Sequence, residues 1–432
     1  MRTVEKTIGV MDPNAFSFRE TIESLIRFLE PEIAYKGEVS KIRTRKIKCR
    51  PYNVLEARTT CHAIINRGAH WNPHHNSFFQ RVSHQTYLLN DMSSFFAINK
   101  NTSYGHMFEL GMKIPPTYAI PQEDNSELMN NSKVSPDLIF PEYELFNLEE
   151  VGEAVGYPAF LKPQDGGGWV GVQRVNNFEE LFLAYKKSGS KPQNLQKAVT
   201  GYKEFIRCVG MGPQVVPMHY NADAEFSHDR YMRSEDLPIE PQFLSPEVDK
   251  EVQQICKIIN AFYGWDHNSC ESLLTHGGDV HPIDFANAYP DSTLVSLHYY
   301  FPDLVKNTVR WLFFIVASNR RKQNFGHDWD EYFKVLEKSK KEGWDYKRKL
   351  DEYEKLADKH YGTREFEKFS KEVLGEEFEA RCLEFFQTQE FSDILENEVV
   401  RYFKIPGERP AMLQRYRNIH ELWISNERKR LA

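Results

Sequence analysis

Apolar positions recur along this chain with two different periods. Thr7 to Met11 is a short apolar run that predicts a strand, and in Phe18 to Leu29 the residues Ile22, Leu25, Ile26 and Leu29 repeat at helical spacing. His62-Ala63-Ile64-Ile65-Asn66 reads as a second buried strand that ends in the polar loop Arg67 to Asn76. The alternation predicts an α/β first domain. Lys113-Ile114-Pro115-Pro116-Thr117 and the Asn-, Ser- and Pro-rich stretch Pro121 to Pro136 read as a connector. From Asn147 to roughly His298 the pattern is helix, strand, glycine-rich loop, strand, helix, several strands, a long helix and a hairpin. Ser245-Pro246-Glu247 opens that long helix with a cap and a first-turn proline, and Val248, Val252, Ile255, Ile259 and Phe262 form its apolar stripe. Beyond Phe301, Trp329, Tyr332, Phe333 and Leu336, then Leu350, Tyr353 and Leu356, recur at helical spacing among many charges. The expected division is therefore 1–118, 119–300 and a helical extension 301–432.

Composition narrows the class. A chain of 432 residues with 41% hydrophobic and 27% charged residues buries several cores and is a folded protein, not a disordered one. Its net charge of −7 gives no overall pull toward nucleic acid or an anionic membrane surface. Cys49, Cys61, Cys208, Cys256, Cys270 and Cys382 include no C-x-x-C pair and are thinly spread, which is the usage of a reducing compartment. The longest apolar run, Trp311 to Ala317, is too short to span a bilayer, so the expectation is a cytoplasmic protein with no membrane and no nucleic-acid partner.

Two segments carry candidate chemistry. Ser269 to Leu274 and Asp279 to Phe285 flank Thr275-His276-Gly277-Gly278, which reads as a hairpin turn. Counting outward from a Gly277-Gly278 tip sets Glu271 opposite Asp284. Like charges facing each other destabilise a sheet unless a counter-charge is supplied, and a divalent cation supplies it. Magnesium uses one or two carboxylates plus substrate phosphates, which directs attention to a phosphate cradle. Upstream, Lys162 at a strand end leads into Gly166-Gly167-Gly168-Trp169-Val170-Gly171, where glycines let backbone N–H groups approach phosphate oxygens. Gly166, Gly168 and Gly171 match G-x-G-x-x-G, yet Val170 to Val175 continues as a strand and the helix waits until after Asn176-Asn177, so a dinucleotide fingerprint does not apply. No H-R-D or D-F-G follows, and the P-loop pattern is absent. A hairpin flap closing over a nucleotide, with Lys162 at its base, and a plain solvent-exposed glycine hairpin remain.

Taken in order from about Ile64 to Asp291, these residues resemble the ATP-grasp superfamily, the fold of D-alanine:D-alanine ligases, glutathione synthetases and ribosomal-protein glutamate ligases, with the pattern nearest to the glutamate-ligase and glutathione-synthetase branches. Ile64-Ile65-Asn66-Arg67, Leu89-Asn90, Asn99-Lys100-Asn101-Thr102 and Gly111 to Thr117 look like the first-domain strand, the "N … K" element and the connector of that branch. The resemblance implies an ATP-grasp fold behind a Rossmann-like pre-ATP-grasp domain, with ATP and magnesium (or manganese) as cofactors. Lys100, Lys162 and Gly166, Gly167 and Gly168 would contact the nucleotide phosphates. Leu195-Gln196-Lys197-Ala198-Val199 resembles the adenine hinge and makes Gln196, Lys197 and Val199 nucleotide contacts, with Lys197 where many relatives carry an acidic residue. Arg207-Cys208-Val209-Gly210 resembles the strand whose arginine steadies the transferred phosphate, a role Arg230 would share. Glu271, Asp284 and Asn287 would hold the metal; Ala286 stands where relatives place the asparagine, so Asn287 serves only if the strand end turns it inward.

The implied chemistry is carboxylate-amine ligation. ATP phosphorylates a carboxylate to an acyl phosphate and an amine displaces phosphate, a reaction that demands charge neutralisation and alignment. The substrates implied are a small-molecule or peptide carboxylate and an amine. Gly68 to Asn76 follows a predicted strand and reads either as a substrate loop, with Arg67 as a carboxylate anchor and His70, Asn72 and His74 as contacts, or as a hydrogen-bonded loop. A metal site from His70, His74 and His75 is disfavoured because adjacent histidines rarely converge. The helical extension packs on the body or serves a homo-oligomer or partner. Two other readings stay open: an ATP-binding regulatory or scaffold protein without turnover, and a phosphotransferase on the same fold.

Overall fold

The computed structural model describes residues 1–13, 16–126, 146–233, 239–321 and 328–432, so residues 127–136 of the expected connector lie outside the described residues. Packing divides the chain into two units, one of Met1–Phe95, Phe205–Ser269 and Ala288–Ala432, the other of Phe96–Glu204 and Cys270–Asn287.

In the first unit, β1 (Arg2–Met11) is buried from Lys6 onward and forms the middle of a five-stranded sheet with β2 (Glu32–Tyr35), β3 (Glu38–Lys46), β4 (Ala63–Asn66) and β5 (Tyr87–Leu89) in the order β2-β3-β1-β4-β5. β3, β1, β4 and β5 run parallel, and β2 is antiparallel to β3. β1 begins well before the apolar run at Thr7, because its first residues are exposed and polar. The β2–β3 hairpin is not anticipated by the sequence reading. β3 alternates Ser40 and Ile42, which are buried, with exposed Lys41 and Arg43, and its turn is Lys36-Gly37, both at positive φ, in place of the Asn-Gly that usually signals such a turn. α1 (Phe16–Leu29) buries Phe18, Ile22, Leu25 and Ile26, the face its spacing predicts.

The second unit is built on an antiparallel sheet of β6 (Thr117–Ile120), β7 (Ala159–Pro163), β8 (Gln173–Val175) and β9 (Gln193–Lys197), in the order β6-β9-β7-β8. Strand alternation sends Ala159, Leu161 and Leu195 to one face, where they join Val155, Leu181 and Ala184 in an apolar core. Phe160, Lys162, Asn194 and Gln196 point to the other. β8 starts only at Gln173, so Val170, which is exposed, lies in a turn and not in the strand expected from Val170 to Val175; the Val170 and Val172 N–H groups donate to the Gly167 and Trp169 carbonyls and close local turns. A third sheet has the order β11-β10-β12-β13, from β10 (Tyr202–Met211), β11 (Gln214–His219), β12 (His267–Thr275) and β13 (Val280–Asn287).

Among the described residues, the region after Phe301 is mostly helical, as its periodicity predicts. Helices Phe301–Ala317, Gly375–Phe386 and Arg409–Leu431 of the first unit are pinned by one buried charge network. Lys306, 3% exposed, pairs with Glu427, with Glu379 at 3.2 Å and with Asp303 at 3.7 Å, and Arg430 adds contacts to Glu379 at 2.6 Å and Glu427 at 2.7 Å. Burial alone would raise the Glu379 carboxyl, but Arg310 and Lys306 hold it down at about 2. Removing one member strands buried carboxylates, at a cost of about 3–5 kcal/mol. Lys306→Met is therefore expected to lower the thermal midpoint, and adding Glu427→Leu to restore part of the loss, as read by calorimetry. Because the folded pKa of Glu379 is depressed, its stabilisation holds above the ordinary carboxylate range and fades as pH falls toward about 2.

Candidate functional site

The site of the second unit starts from helix α3 (Lys100–Glu109), whose N-cap is Asn99. Its first amide, Lys100 N–H, donates to the Gln164 carbonyl at 2.8 Å, which ties the helix start to the loop leaving β7. The Lys100 side chain, 4% exposed, donates to the Gly166 carbonyl at 3.2 Å and pairs with Asp284 at 3.1 Å. Lys162 leaves the polar face of β7 and donates to Gln196 Oε1 at 2.7 Å and to the Ile283 carbonyl at 3.3 Å. Gln196 in turn donates to Thr117 Oγ1 at 3.0 Å.

Burial drives the Lys162 ammonium down to about 8; Asp284 and Glu271 oppose that shift and Lys100 adds to it. The two buried lysines thus share Asp284, and Glu271 acts on Lys162 as well. Above them the loop is open. A Cβ added at Gly166, Gly167 or Gly168 would meet nothing within 4 Å, and Gly166 and Gly168 hold φ of +107° and +68°, which favour glycine.

The hairpin carrying the carboxylates differs from the expected one. Gly278 N–H donates to the Thr275 carbonyl at 3.0 Å, Thr275 N–H donates to Asp279 at 2.9 Å, and Gly278 has φ +88°. This is a three-residue loop closed between Thr275 and Asp279, in which the left-handed glycine forms a bulge. The two-residue Gly277-Gly278 tip, and the direct facing of Glu271 and Asp284 counted from it, are corrected accordingly. Both carboxylates nevertheless act on the same two groups, Lys162 and Tyr104. Lys113 pairs with Asp279 at 2.6 Å and accepts from His281 Nδ1 at its carbonyl, 2.9 Å away, which steadies the turn.

The remaining residues singled out in the sequence fall as follows. Lys197 donates to the Tyr157 carbonyl at 2.7 Å, and Val199 lies in the irregular segment after β9, half-buried. Asn287 is the last residue of β13, half-buried, beside buried Ala286. In the first unit, Arg207 is buried, donates to Ser269 Oγ at 3.2 Å and lies over the Tyr220 ring at 5.4 Å, while Arg230 donates to the Tyr220 hydroxyl at 3.2 Å. Those two arginines therefore meet on one phenol.

Arg67, expected as a carboxylate anchor, is engaged by three groups of the protein. Its Nε pairs with Asp12 at 2.8 Å, Nη2 donates to the Pro290 carbonyl at 2.8 Å and Nη1 donates to His267 Nδ1 at 3.2 Å. The segment after it contains a helix start: Asn72 caps Pro73–Val82, with its side chain accepting from His74 and His75 N–H, so its oxygen serves the backbone. His74 Nε2 donates to the Arg50 carbonyl at 2.8 Å. His70 stacks on Tyr289 with centroids 3.6 Å apart, and burial, aided by Arg67, lowers it to about 3 and keeps it neutral.

Two contributors were missed. Tyr104 lies one turn after Lys100 on α3, and an i, i+4 count from the lysine would have found it. Asn194, fully buried on the Lys162 face, has neither amide atom hydrogen-bonded, and a count of two back from Gln196 would have found it.

These residues fit a nucleotide with its metal. A buried cation pair, an open glycine loop and an unsatisfied buried amide suit a polyphosphate, and two carboxylates suit magnesium that draws its other oxygens from the ligand. Among the described residues no group of three or more His, Cys, Asp or Glu could hold a metal alone. No helix among them is long and apolar enough to cross a membrane.

No family model matches the chain. It is similar to a D-alanine–D-alanine ligase of Leptospira interrogans, 24% identical over 221 residues that cover 48% of this chain and 57% of the relative. The chain spans about half the length of the curated relatives it matches. Among solved structures it resembles the D-alanine–D-alanine ligase of Bacillus anthracis (TM-score 0.47, 14% identity, 78% of this chain and 99% of that one). It also resembles a RimK domain ATP-grasp protein of Sphaerobacter thermophilus (TM-score 0.43, 14% identity, 70% and 98%). All three are ligases or ATP-grasp proteins by name.

Burial lowers the Lys162 ammonium to about 8, so its positive charge is expected to be lost as pH rises through that value. Affinity for inorganic tripolyphosphate is therefore expected to fall between pH 7 and pH 9, and to lose most of that dependence in Lys162→Gln, as followed by calorimetric titration. A wild-type affinity flat across this range would show that Lys162 does not meet the anion.

Proposed function

We propose that this protein is an ATP- and magnesium-dependent carboxylate-amine ligase that works through an acyl phosphate and releases ADP and phosphate. The observation that carries the reading is the convergence of Lys100, Lys162 and Asp284, with Glu271 in the same field, beneath the open Gly166–Gly168 loop. In this reading the parallel sheet of the first unit serves as the Rossmann-like pre-ATP-grasp domain, the antiparallel sheet of the second holds the nucleotide, and residues from 301 onward are an extension.

The two lysines neutralise phosphate oxygens, and the glycine loop brings backbone N–H groups to them. Gln196 and Val199, with Lys197 where an acidic residue is common, border the base and ribose. Glu271 and Asp284 would hold magnesium, with Asn287 as a third oxygen donor when the end of β13 presents it, and the ion would supply positive charge against the phosphates. Arg207 and Arg230 balance the charge of the transferred phosphoryl group. Closure of the loop excludes water, which would otherwise hydrolyse the acyl phosphate.

Incubation with ATP, magnesium and a panel of amino and carboxylic acids is expected to yield ADP and phosphate only when both a carboxylate and an amine are present. AMP with pyrophosphate would rule the reading out. A phosphorylated product stable without an amine would point to a phosphotransferase. Lys100→Met and Asp284→Asn are each expected to lower kcat about a hundredfold, the scale of losing one preorganised charge at a transition state. Binding of ATP without any turnover across the panel would favour a regulatory role.

A further inference from the structure

We infer that Tyr104 is a positioning residue that couples the phosphate lysine to the metal-side carboxylate, with its hydroxyl fixing the backbone before Asp284 and its ring forming a wall for the Lys162 ammonium. The inference rests on the nucleotide reading of this site.

Tyr104 is 2% exposed and lies on α3 at i+4 from Lys100, so the two side chains share one helix face. Its hydroxyl donates to the Ile283 carbonyl at 2.7 Å. Lys162 donates to that same carbonyl at 3.3 Å, and its ammonium stands 5.8 Å from the centre of the Tyr104 ring. The ring also meets Phe285 edge-on at 5.3 Å. Tyr104 therefore touches the residues on both sides of Asp284 and the lysine that faces it, while the preceding turn of its helix carries the Asp284 partner Lys100. A buried tyrosine satisfies its hydroxyl with any nearby carbonyl; here the carbonyl is shared with a buried cation and precedes a candidate metal ligand. Loss of the hydroxyl leaves the Ile283 carbonyl with the Lys162 ammonium as its side-chain donor, drawing the charge toward the strand and loosening the hold on Asp284. Loss of the ring also removes the π face beside the cation.

Tyr104→Phe keeps the ring and its Phe285 contact; Tyr104→Leu removes both. Binding of a β,γ-imido analogue of ATP is measured calorimetrically in EDTA and in magnesium, with thermal midpoints in parallel. Tyr104→Phe is expected to weaken binding about fivefold in magnesium, the scale of one lost hydrogen bond, with Kd in EDTA nearly unchanged. Tyr104→Leu is expected to weaken binding in both media. Wild-type behaviour of Tyr104→Phe in both media overturns the inference, as does an equal loss in both accompanied by a lowered midpoint, the mark of a merely structural side chain. Absence of analogue binding by the wild-type protein in either medium overturns the nucleotide reading itself, and the inference with it.

Discussion

A lysine ammonium taken out of water must be surrounded by oxygens, and Lys162 imposes that demand on everything near it. Its position on the polar face of β7 is set by strand alternation, because the opposite face belongs to the apolar core around Leu161 and Leu195. Gln196 comes from the neighbouring strand and the Ile283 carbonyl from the carboxylate hairpin, while Asp284 and Glu271 supply two negative charges against the two lysines. The two carboxylates balance the two ammonium groups only while they hold no cation, and the glycine run that borders Lys100 is open.

The first unit resolves its polar burial differently. Asn90, just past β5, uses its whole side-chain capacity: its oxygen accepts from Asp266 and His267 N–H at 2.7 and 2.8 Å, and its amide donates to the carbonyls of His267 and Ala288 at 2.7 and 2.8 Å. Asp12 and Arg67, just past β1 and β4, neutralise each other. The C-terminal edge of this parallel sheet, where ligands of such sheets commonly collect, is thus lined by groups whose charges are balanced within the protein.

Much of this was legible along the chain. The helical stripes of α1 and of Pro246–Tyr263, the cap at Ser245 and the helical region after Phe301 follow from periodicity and capping chemistry, which are local. The β2–β3 hairpin was not, since its charged strand and Lys-Gly turn give no strong local signal. The turn at Thr275–Asp279 shows how fragile register counting is: one extra residue with φ +88° changes the facing of every pair counted from it.

The residue types of the site and their order, a lysine after Asn99, a lysine at a strand end before a glycine run and acids on a hairpin, were determined by the sequence alone, because those chemistries are properties of single residues and short spacings. Which groups are already engaged was decided by the tertiary structure. Arg67, Asn72 and His74 look like free ligands in a line of letters, yet an ion pair, a helix cap and a backbone carbonyl occupy them. Tyr104 and Asn194 look unremarkable in sequence, yet folding sets one against Lys162 and Ile283 and leaves the other buried without a partner. The reason is that hydrogen bonding and charge balance are sums over neighbours distant in sequence, and only the packed chain determines which neighbours enter the sum.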